Sequence, residues 1–198
     1  MTEDEIDGTL AFLGMAERLK DTLRTGNTTA GRSESTAEHS WRLCLMALVL
    51  GDQLGGVDTG RLLRICVVHD LAEALTGDIP APAARGDKSA AERDALATLT
   101  APLPAAARDT IIALWEEYET GSTREGRIAK GLDKLETILQ HTQGANPPSL
   151  DLAYNLDYGR AATDADPLLA AIRAKLDART RARLAESLPL PQGGRGLG

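Results

Sequence analysis

Hydrophobic residues recur three and four positions apart along most of the chain, which is the spacing that buries one face of an α-helix. This pattern predicts helices over residues 3–24, 36–54, 59–74, 88–99, 104–120, 123–142 and 165–187. Apolar and polar residues never alternate for more than a few positions, so no strand is predicted. We therefore expect an all-α fold with one domain, residues 1–187, followed by a disordered tail, residues 188–198.

Several predicted helices begin with residues that cap helix N-termini. Ser35 and Glu38 fit a capping box, Ser-x-x-Glu, and Ser122 and Glu125 fit a second one. Three further residues are suited to helix starts, namely Asp58, Asp87 and Pro104.

The apolar faces predict which helices are covered. Residues 43–50 are apolar on every side, so we expect the second helix to be central and surrounded by others. The last helix has an apolar side and an arginine-rich side, and we expect its arginines to be solvated. The apolar face of the first helix consists of Ile6, Leu10, Leu13, Leu19 and Leu23. The arginines of the last helix include Arg173, Arg179 and Arg183.

Composition narrows the class of protein. The 22 Lys and Arg against 29 Asp and Glu give a net charge of -7, which argues against binding to nucleic acid polymers or acidic membranes. Cys44 and Cys66 lie in apolar surroundings, as expected of small core residues in a reduced protein. The acidic N-terminus lacks the features of a secretory signal, and no apolar run is long enough to span a bilayer. We expect a cytoplasmic protein.

Polar residues interrupt an apolar run in the segment "VVHDLAEALTGDIP", residues 67–80. His69, Asp70 and Glu73 are spaced so that a helix would place them on neighbouring parts of one face. A lone buried carboxylate is costly, whereas a divalent cation compensates several such groups together. The segment alone leaves two interpretations open: a metal site, or a core histidine beside a backbone-bonded aspartate.

Two other segments offer similar groups. His39 lies one turn into the second helix, at the edge of the apolar stretch, and Asp133 interrupts an apolar face within "KGLDKLETILQ". Taken separately, His39 could be a core histidine and Asp133 a surface residue. Together, two imidazoles and two carboxylates would form a mixed site with open positions for water and a substrate oxygen.

The combined pattern resembles the H...HD...D motif of the HD-domain metal-dependent phosphohydrolases. The matching segments are "AEHSWR" (37–42), "VHDLAEALTGDIP" (68–80) and "LDKLE" (132–136), in the family's order and spacing. The resemblance is closest to the branch containing the 5'-deoxynucleotidases, which shares a segment similar to "WEEYE" at 115–119, and it covers most of residues 10–145. It implies an HD-domain helical bundle with the metal site between core helices.

The resemblance also implies residue roles. The ligands of one divalent metal ion would be His39, His69, Asp70 and Asp133. Glu73 and Asp78 match positions needed for hydrolysis and for holding substrate. Glu73 is the candidate general acid or base, and Asp78 could accept a hydrogen bond from a sugar hydroxyl.

Substrate-binding residues are predicted next to these. Arg24 matches a family arginine that holds the phosphate, but Asn27 stands where the family has a tryptophan that would stack on the base. Thr76 could add a hydroxyl beside Asp78. Lys88 could meet the phosphate or remain a solvated charge.

We therefore predict a phosphatase for deoxynucleoside 5'-monophosphates, acting on a small-molecule nucleotide. The missing tryptophan leaves open a hydrolase of nucleoside triphosphates or of a specialised nucleotide. A third hypothesis is a non-catalytic helical module with a structural metal, which would unfold when the metal is removed. The mixed ligands suit Mn, Co, Fe, Ni or Zn and tolerate Mg, and we expect a homodimer, as the resemblance implies.

Overall fold

The computed structural model describes residues 1–79 and 88–187, apart from the side chains of residues 88 and 187. It confirms a predominantly helical fold, to which it adds one small antiparallel sheet. The helices are α1 (Glu3–Ala16), α2 (Thr36–Leu50), α3 (Thr59–Val68), α4 (Glu73–Thr76), α5 (Lys88–Thr100), α6 (Ala105–Thr120), α7 (Arg124–Gln143), α8 (Arg160–Thr163) and α9 (Pro167–Ser187). The strands are β1 (Leu23–Asn27) and β2 (Ser33–Ser35), and 3₁₀ turns cover Glu17–Lys20, Gly51–Gln53 and Ala153–Leu156. Among the described residues, no helix is long and apolar enough to cross a membrane.

Helix α7, rather than α2, is the centre of the fold. It packs against α2, α3, α6, α8 and α9. Its apolar residues Leu132, Leu135 and Ile138 are fully buried, and burying each such side chain contributes about 1.5–3 kcal/mol. The 20-residue helix can therefore place side chains from four consecutive turns in the interior of the protein.

The prediction that α2 is covered on all sides is wrong. Leu43 and Ala47 are fully buried, but the opposite face carries Leu45, Leu48 and Val49 at 43%, 59% and 67% exposure. The main neighbours of α2 are α3, α7, β2 and two 3₁₀ turns, so its outer side is left exposed by the residues that the structure describes. The apolar residues on every side of α2 predicted that it is buried, but the sequence does not show which element covers each side.

The first predicted helix ends early. Helix α1 stops at Ala16, and its residues Ile6, Leu10 and Leu13 are 46–61% exposed, while a 3₁₀ turn buries Leu19. The chain then enters β1, which pairs with β2 across a turn containing Gly31 at φ +88°. Strands of five and three residues are too short for alternation to be recognised in the sequence.

The helix predicted over 59–74 is also interrupted. Helix α3 begins at the predicted cap, where Asp58 accepts a hydrogen bond from the Arg61 amide at 3.0 Å, but it ends at Val68. Residues 69–72 form a turn, and α4 follows and ends at Gly77, which adopts φ +74°. The break lies directly at the His-Asp pair.

The first predicted capping box is confirmed, and the second is wrong. Ser35 and Glu38 bond reciprocally at the start of α2. At α7 the capping residue is Thr123, which accepts a hydrogen bond from the Gly126 amide, while Glu125 accepts one from the Asp58 amide at 2.9 Å. Pro104 is the residue before α6 rather than in its first turn, and Asp87 lies outside the described residues.

Arg173 contradicts the prediction that the arginines of the last helix are solvated. Its side chain is 1% exposed, and its guanidinium donates to the Asn155, Leu156 and Tyr158 carbonyls at 2.6, 2.9 and 2.7 Å. Asp177 accepts a further hydrogen bond from it at 2.7 Å. The spacing of arginines along the helix could not predict this, because the carbonyls come from a distant turn.

Replacing Arg173 with methionine should lower the free energy of unfolding by about 3–5 kcal/mol, because three carbonyls lose their donor and Asp177 keeps only Arg160 as its ion-pair partner. Urea unfolding followed by circular dichroism measures this. Arg179 is exposed on the same helix, so Arg179→Met is the control and should change stability little. Equal effects of the two substitutions would contradict the structural role of Arg173.

Candidate metal centre

Three predicted segments bring their polar groups together at one point. His39 Nε2 lies 3.3 Å from His69 Nε2, 3.6 Å from Asp70 Oδ2 and 3.2 Å from Asp133 Oδ1. His69 Nε2 lies 2.9 Å from Asp70 Oδ2. Donor atoms about 2.0–2.2 Å from a common ion lie roughly 3–4.4 Å from one another, so His39, His69 and Asp70 are close enough to share a cation. Asp133 joins this group through its approach to His39.

Hydrogen bonds to the far side of each imidazole orient it toward this point. His69 Nδ1 donates to the Cys66 carbonyl at 2.9 Å, and His39 Nδ1 donates to the Glu136 carboxylate. With both Nδ1 atoms acting as donors, both Nε2 atoms present lone pairs to the same space. This is the tautomer that metal-binding histidines require.

The charges around His39 favour a cation. Burial and the charge of Arg24 oppose protonation of His39, but Glu136 and Asp133 outweigh them and raise its pKa to about 10. Burial opposes ionisation of Asp70 too, yet the neighbouring His69 keeps the pKa of that carboxyl well below its ordinary value. A field that attracts a proton this strongly also attracts a divalent metal ion. The donor set therefore fits one.

Asp133 is held so that one oxygen faces the histidines. Its Oδ2 accepts hydrogen bonds from the Tyr118 hydroxyl at 2.6 Å and from Lys134 Nζ at 2.7 Å. Its Oδ1 is the atom that approaches His39. Although burial raises the pKa of this carboxyl, Lys134 and His39 hold it well below its usual range, so Asp133 is ionised.

Arg24 lies beside the donor set, as predicted. The β1 strand directs it inward, where Nη1 is 3.6 Å from Asp70 Oδ2, Nη2 donates to Thr137 Oγ1 at 3.0 Å, and Nε is 3.5 Å from Glu34 Oε2. Burial disfavours the charged guanidinium, but Asp70 and then Asp78 outweigh this effect and raise its pKa.

Glu34 and Arg42 complete a buried charge network behind His39. Arg42 Nε donates to Glu136 Oε1 at 2.5 Å, and its Nη2 is 3.8 Å from Glu34 Oε1. Burial and the charge of Glu136 raise the pKa of Glu34 to about 7. The network fixes Glu136, and through it the ring of His39.

The predicted catalytic residues lie beside this centre. Glu73 is 3% exposed, and its Oε2 accepts a hydrogen bond from the Thr36 hydroxyl at 3.0 Å. Glu73 and Asp78 border one cleft of about 430 Å³. The other residues bordering this cleft are Arg18, Asp21, Thr22, Leu23, Ala74, Leu75 and Gly77.

The remaining predicted substrate residues stay predictions. The Thr76 hydroxyl makes local contacts, to the Gly77 carbonyl at 3.2 Å and the Ala72 carbonyl at 3.4 Å. Lys88 begins α5, but its side chain is outside the described residues.

Sequence reasoning missed Glu34, Glu136, Tyr118 and Lys134. Glu136 and Lys134 lie within the "LDKLE" segment, and Tyr118 within "WEEYE", so the motifs contained them without showing their roles. A signal was available for Glu136, which is three residues after Asp133 and therefore on the same side of the helix. Nothing in the local sequence distinguishes Glu34 from a surface glutamate.

Residues 16–173 match the HD domain family, and the chain therefore belongs to this family. The family and branch predicted from the motifs are confirmed. The 5'-deoxynucleotidase HDDC2 of Danio rerio is 39% identical over 140 residues, which cover 68% of this chain and 68% of that protein. The 5'-deoxynucleotidase HDDC2 of Homo sapiens is 39% identical over 139 residues, covering 68% and 67%.

A solved structure is also similar over nearly the whole length. The "Predicted metal-dependent phosphohydrolase" from Magnetospirillum magnetotacticum has 31% identity and a TM-score of 0.75. The similarity covers 90% of this chain and 97% of that one. The fold is therefore that of HD-domain proteins.

Replacing Glu136 with glutamine should weaken Co²⁺ binding about 10–100-fold, because the charged acceptor that orients His39 is lost. Titration calorimetry with Co²⁺ on chelator-treated protein measures the affinity. Glu116→Gln is the control, since Glu116 is exposed on α6 and its side chain is 50% accessible. Unchanged affinity in Glu136→Gln would show that Glu136 does not position a metal ligand.

Proposed function

We propose that the protein is a metal-dependent phosphohydrolase that releases phosphate from deoxynucleoside 5'-monophosphates. The observation that carries this proposal is the grouping of His39, His69 and Asp70 around one point, with Asp133 3.2 Å from His39 and Arg24 3.6 Å from Asp70. The relatives named 5'-deoxynucleotidase support the substrate class.

The two His Nε2 atoms, Asp70 Oδ2 and Asp133 Oδ1 would hold one divalent ion. When bound, the ion would polarise a phosphoryl oxygen and lower the pKa of water. Mn, Co, Fe, Ni, Zn and Mg are all compatible with this mixture of nitrogen and oxygen donors. Asp70 is the most exposed of the four, at 17% of its side chain, so the substrate would approach from its side.

Arg24 would bind the phosphate. Its Nη1 already faces Asp70, and Thr137 and Glu34 hold the rest of the guanidinium in place. A phosphate oxygen arriving beside Asp70 would therefore meet an oriented, permanently charged donor. Thr76 and Lys88 are weaker candidates for further contacts.

Glu73 would move the proton in hydrolysis. The Thr36 hydroxyl holds one of its oxygens, and the residue borders the cleft, where a water molecule would meet the phosphate. Asp78, across the same cleft, would accept a hydrogen bond from a sugar hydroxyl.

A second candidate is hydrolysis of nucleoside triphosphates or of a specialised nucleotide. The observation in its favour is that Asn27 replaces the expected tryptophan, and its side-chain amide donates to the Gly31 and Ala145 carbonyls. The two candidates differ in the product released.

The metal-loaded protein should release inorganic phosphate from deoxynucleoside monophosphates and leave di- and triphosphates largely intact. Glu73→Gln should lower kcat about 10²–10⁴-fold with metal content unchanged, because only the proton-transfer group is lost. Phosphate assays across the three nucleotide classes and elemental analysis measure both quantities. Pyrophosphate or triphosphate as the product would favour the second candidate.

Metal removal separates these enzymes from the third hypothesis, a non-catalytic module. Chelation should abolish turnover while circular dichroism shows that the helices remain. Unfolding on chelation, without any turnover beforehand, would support a structural metal instead.

We also propose that the protein is a homodimer formed through the exposed face of α2. This face carries Trp41, Leu45, Leu48 and Val49, which repeat at helical spacing and are 43–67% exposed. A contiguous apolar face of this kind is typical of an interface. A second copy of the protein presents the same face across a two-fold axis, so the two α2 faces can bury each other.

Leu48→Asp should convert the dimer to a monomer, because it places a charge in the centre of the proposed interface. Light scattering coupled to size-exclusion chromatography measures the mass. Leu10→Asp is the control, since Leu10 is similarly exposed on α1. A monomeric unmodified protein would contradict the proposal.

We further propose that the protein acts in the cytoplasm. Its two cysteines are free, and Cys66 is fully buried, as is usual for reduced proteins.

A further inference from the structure

The chain has few aromatic side chains that could contact a nucleobase. There are six: Phe12, Trp41, Trp115, Tyr118, Tyr154 and Tyr158. Trp115 and Tyr118 are buried, and Phe12 lies on α1, whose main neighbours are α5 and the 3₁₀ turn Glu17–Lys20 rather than the helices that carry the predicted ligands. Two tyrosines and Trp41 remain.

Trp41 faces away from the metal centre. It is two residues after His39 on α2, which is roughly 200° around a helix of 3.6 residues per turn. His39 is fully buried toward α7, whereas Trp41 is 66% exposed on the outer side. Tyr154, which is exposed, and Tyr158, which is partly buried, are then left as the aromatic residues to consider.

The side chain of Lys134 lies between Tyr158 and the predicted metal ligand Asp133. Lys134 Nζ is 2.7 Å from Asp133 Oδ2 and 5.2 Å from the centre of the Tyr158 ring. Gly159 makes this arrangement possible, because a Cβ there would lie 2.4 Å from Lys134 Cγ. Burial and Asp133 raise the pKa of Tyr158, while Lys134 and Arg24 act against them.

Tyr154 extends this aromatic surface toward solvent. Its ring centre is 5.4 Å from that of Tyr158, at an interplanar angle of 34°, and the side chain is 40% exposed. Asp151 accepts hydrogen bonds from the amides of Ala153 and Tyr154 at 3.0 and 3.3 Å. Together with the bonds from Arg173 to the carbonyls of 155, 156 and 158, this holds the pair in place before substrate arrives.

We propose that Tyr154 and Tyr158 form the surface on which the nucleobase of the substrate stacks. This inference rests on the proposed function and adds a residue pair that determines specificity. Stacking on an aromatic side chain is worth about 1–3 kcal/mol per base and tolerates any base, because every base has a π face. The two tyrosines would thus replace the tryptophan that the family has at the position of Asn27. Asn27 has no aromatic ring, and its side-chain amide donates to the Gly31 and Ala145 carbonyls.

The test compares a substrate that has a base with one that lacks it. KM and kcat are measured for dAMP and for deoxyribose 5-phosphate, using the full-length, metal-loaded protein. Tyr154→Leu combined with Tyr158→Leu should raise KM for dAMP about tenfold, a value within the stacking range, with kcat unchanged. KM for deoxyribose 5-phosphate should not change.

Two further variants keep the test independent of folding defects. Tyr154→Leu alone alters an exposed side chain and should raise KM for dAMP several-fold with no change in melting temperature. Tyr154→Phe combined with Tyr158→Phe keeps both rings and should retain the dAMP KM of the unmodified protein.

The failures of the two proposals can be distinguished. Phosphate release by the unmodified protein with the same dAMP KM in the leucine variants overturns the stacking surface alone. An equal rise in KM for both substrates also overturns it, because the effect would then not involve the base. No release from any nucleotide by the unmodified protein overturns the proposed function, and the stacking surface with it.

Discussion

The compensation of buried charge is the constraint on which the rest of this structure depends. Asp133 and Glu136 are buried on the central helix α7, and neither could stay ionised there without partners. The partners are His39 and Arg42 from α2, Tyr118 from α6 and Lys134 from α7 itself. Each partner also fixes the direction of a donor atom. The ion pairs and hydrogen bonds that compensate the buried charges are thus the same ones that orient the side chains of the site.

The break between α3 and α4 shows how backbone and site depend on each other. A continuous helix through Ala74 would keep the carbonyl of Cys66 in an ordinary helical bond with residue 70. In the structure the helix ends at Val68, and that carbonyl accepts the His69 Nδ1 proton. The turn also presents Asp70 to both His39 and Arg24. The end of α3 at Val68 therefore orients His69 and places Asp70 beside His39 and Arg24.

Much of this could be predicted from sequence, within a clear physical limit. Helical periodicity, the cap at Ser35 and the four predicted donors depend on local spacing or on a motif. The structure groups His39, His69 and Asp70 around one point and places Asp133 beside His39. Glu34, the buried Arg173 and the outer face of α2 depend on which elements become neighbours, and periodicity carries no information about that. The β-hairpin was missed because its strands are short, although it carries Arg24.

Arg173 holds the turn before α8 entirely through main-chain carbonyls. These hydrogen bonds go to the main chain, so they do not depend on which side chains the turn carries. Position 154, which is exposed, can therefore exchange one residue for another at little cost to folding, while the helices that carry the predicted metal ligands stay unchanged. A scaffold built in this way can acquire new ligand preferences by surface substitution, with its chemistry conserved in the interior.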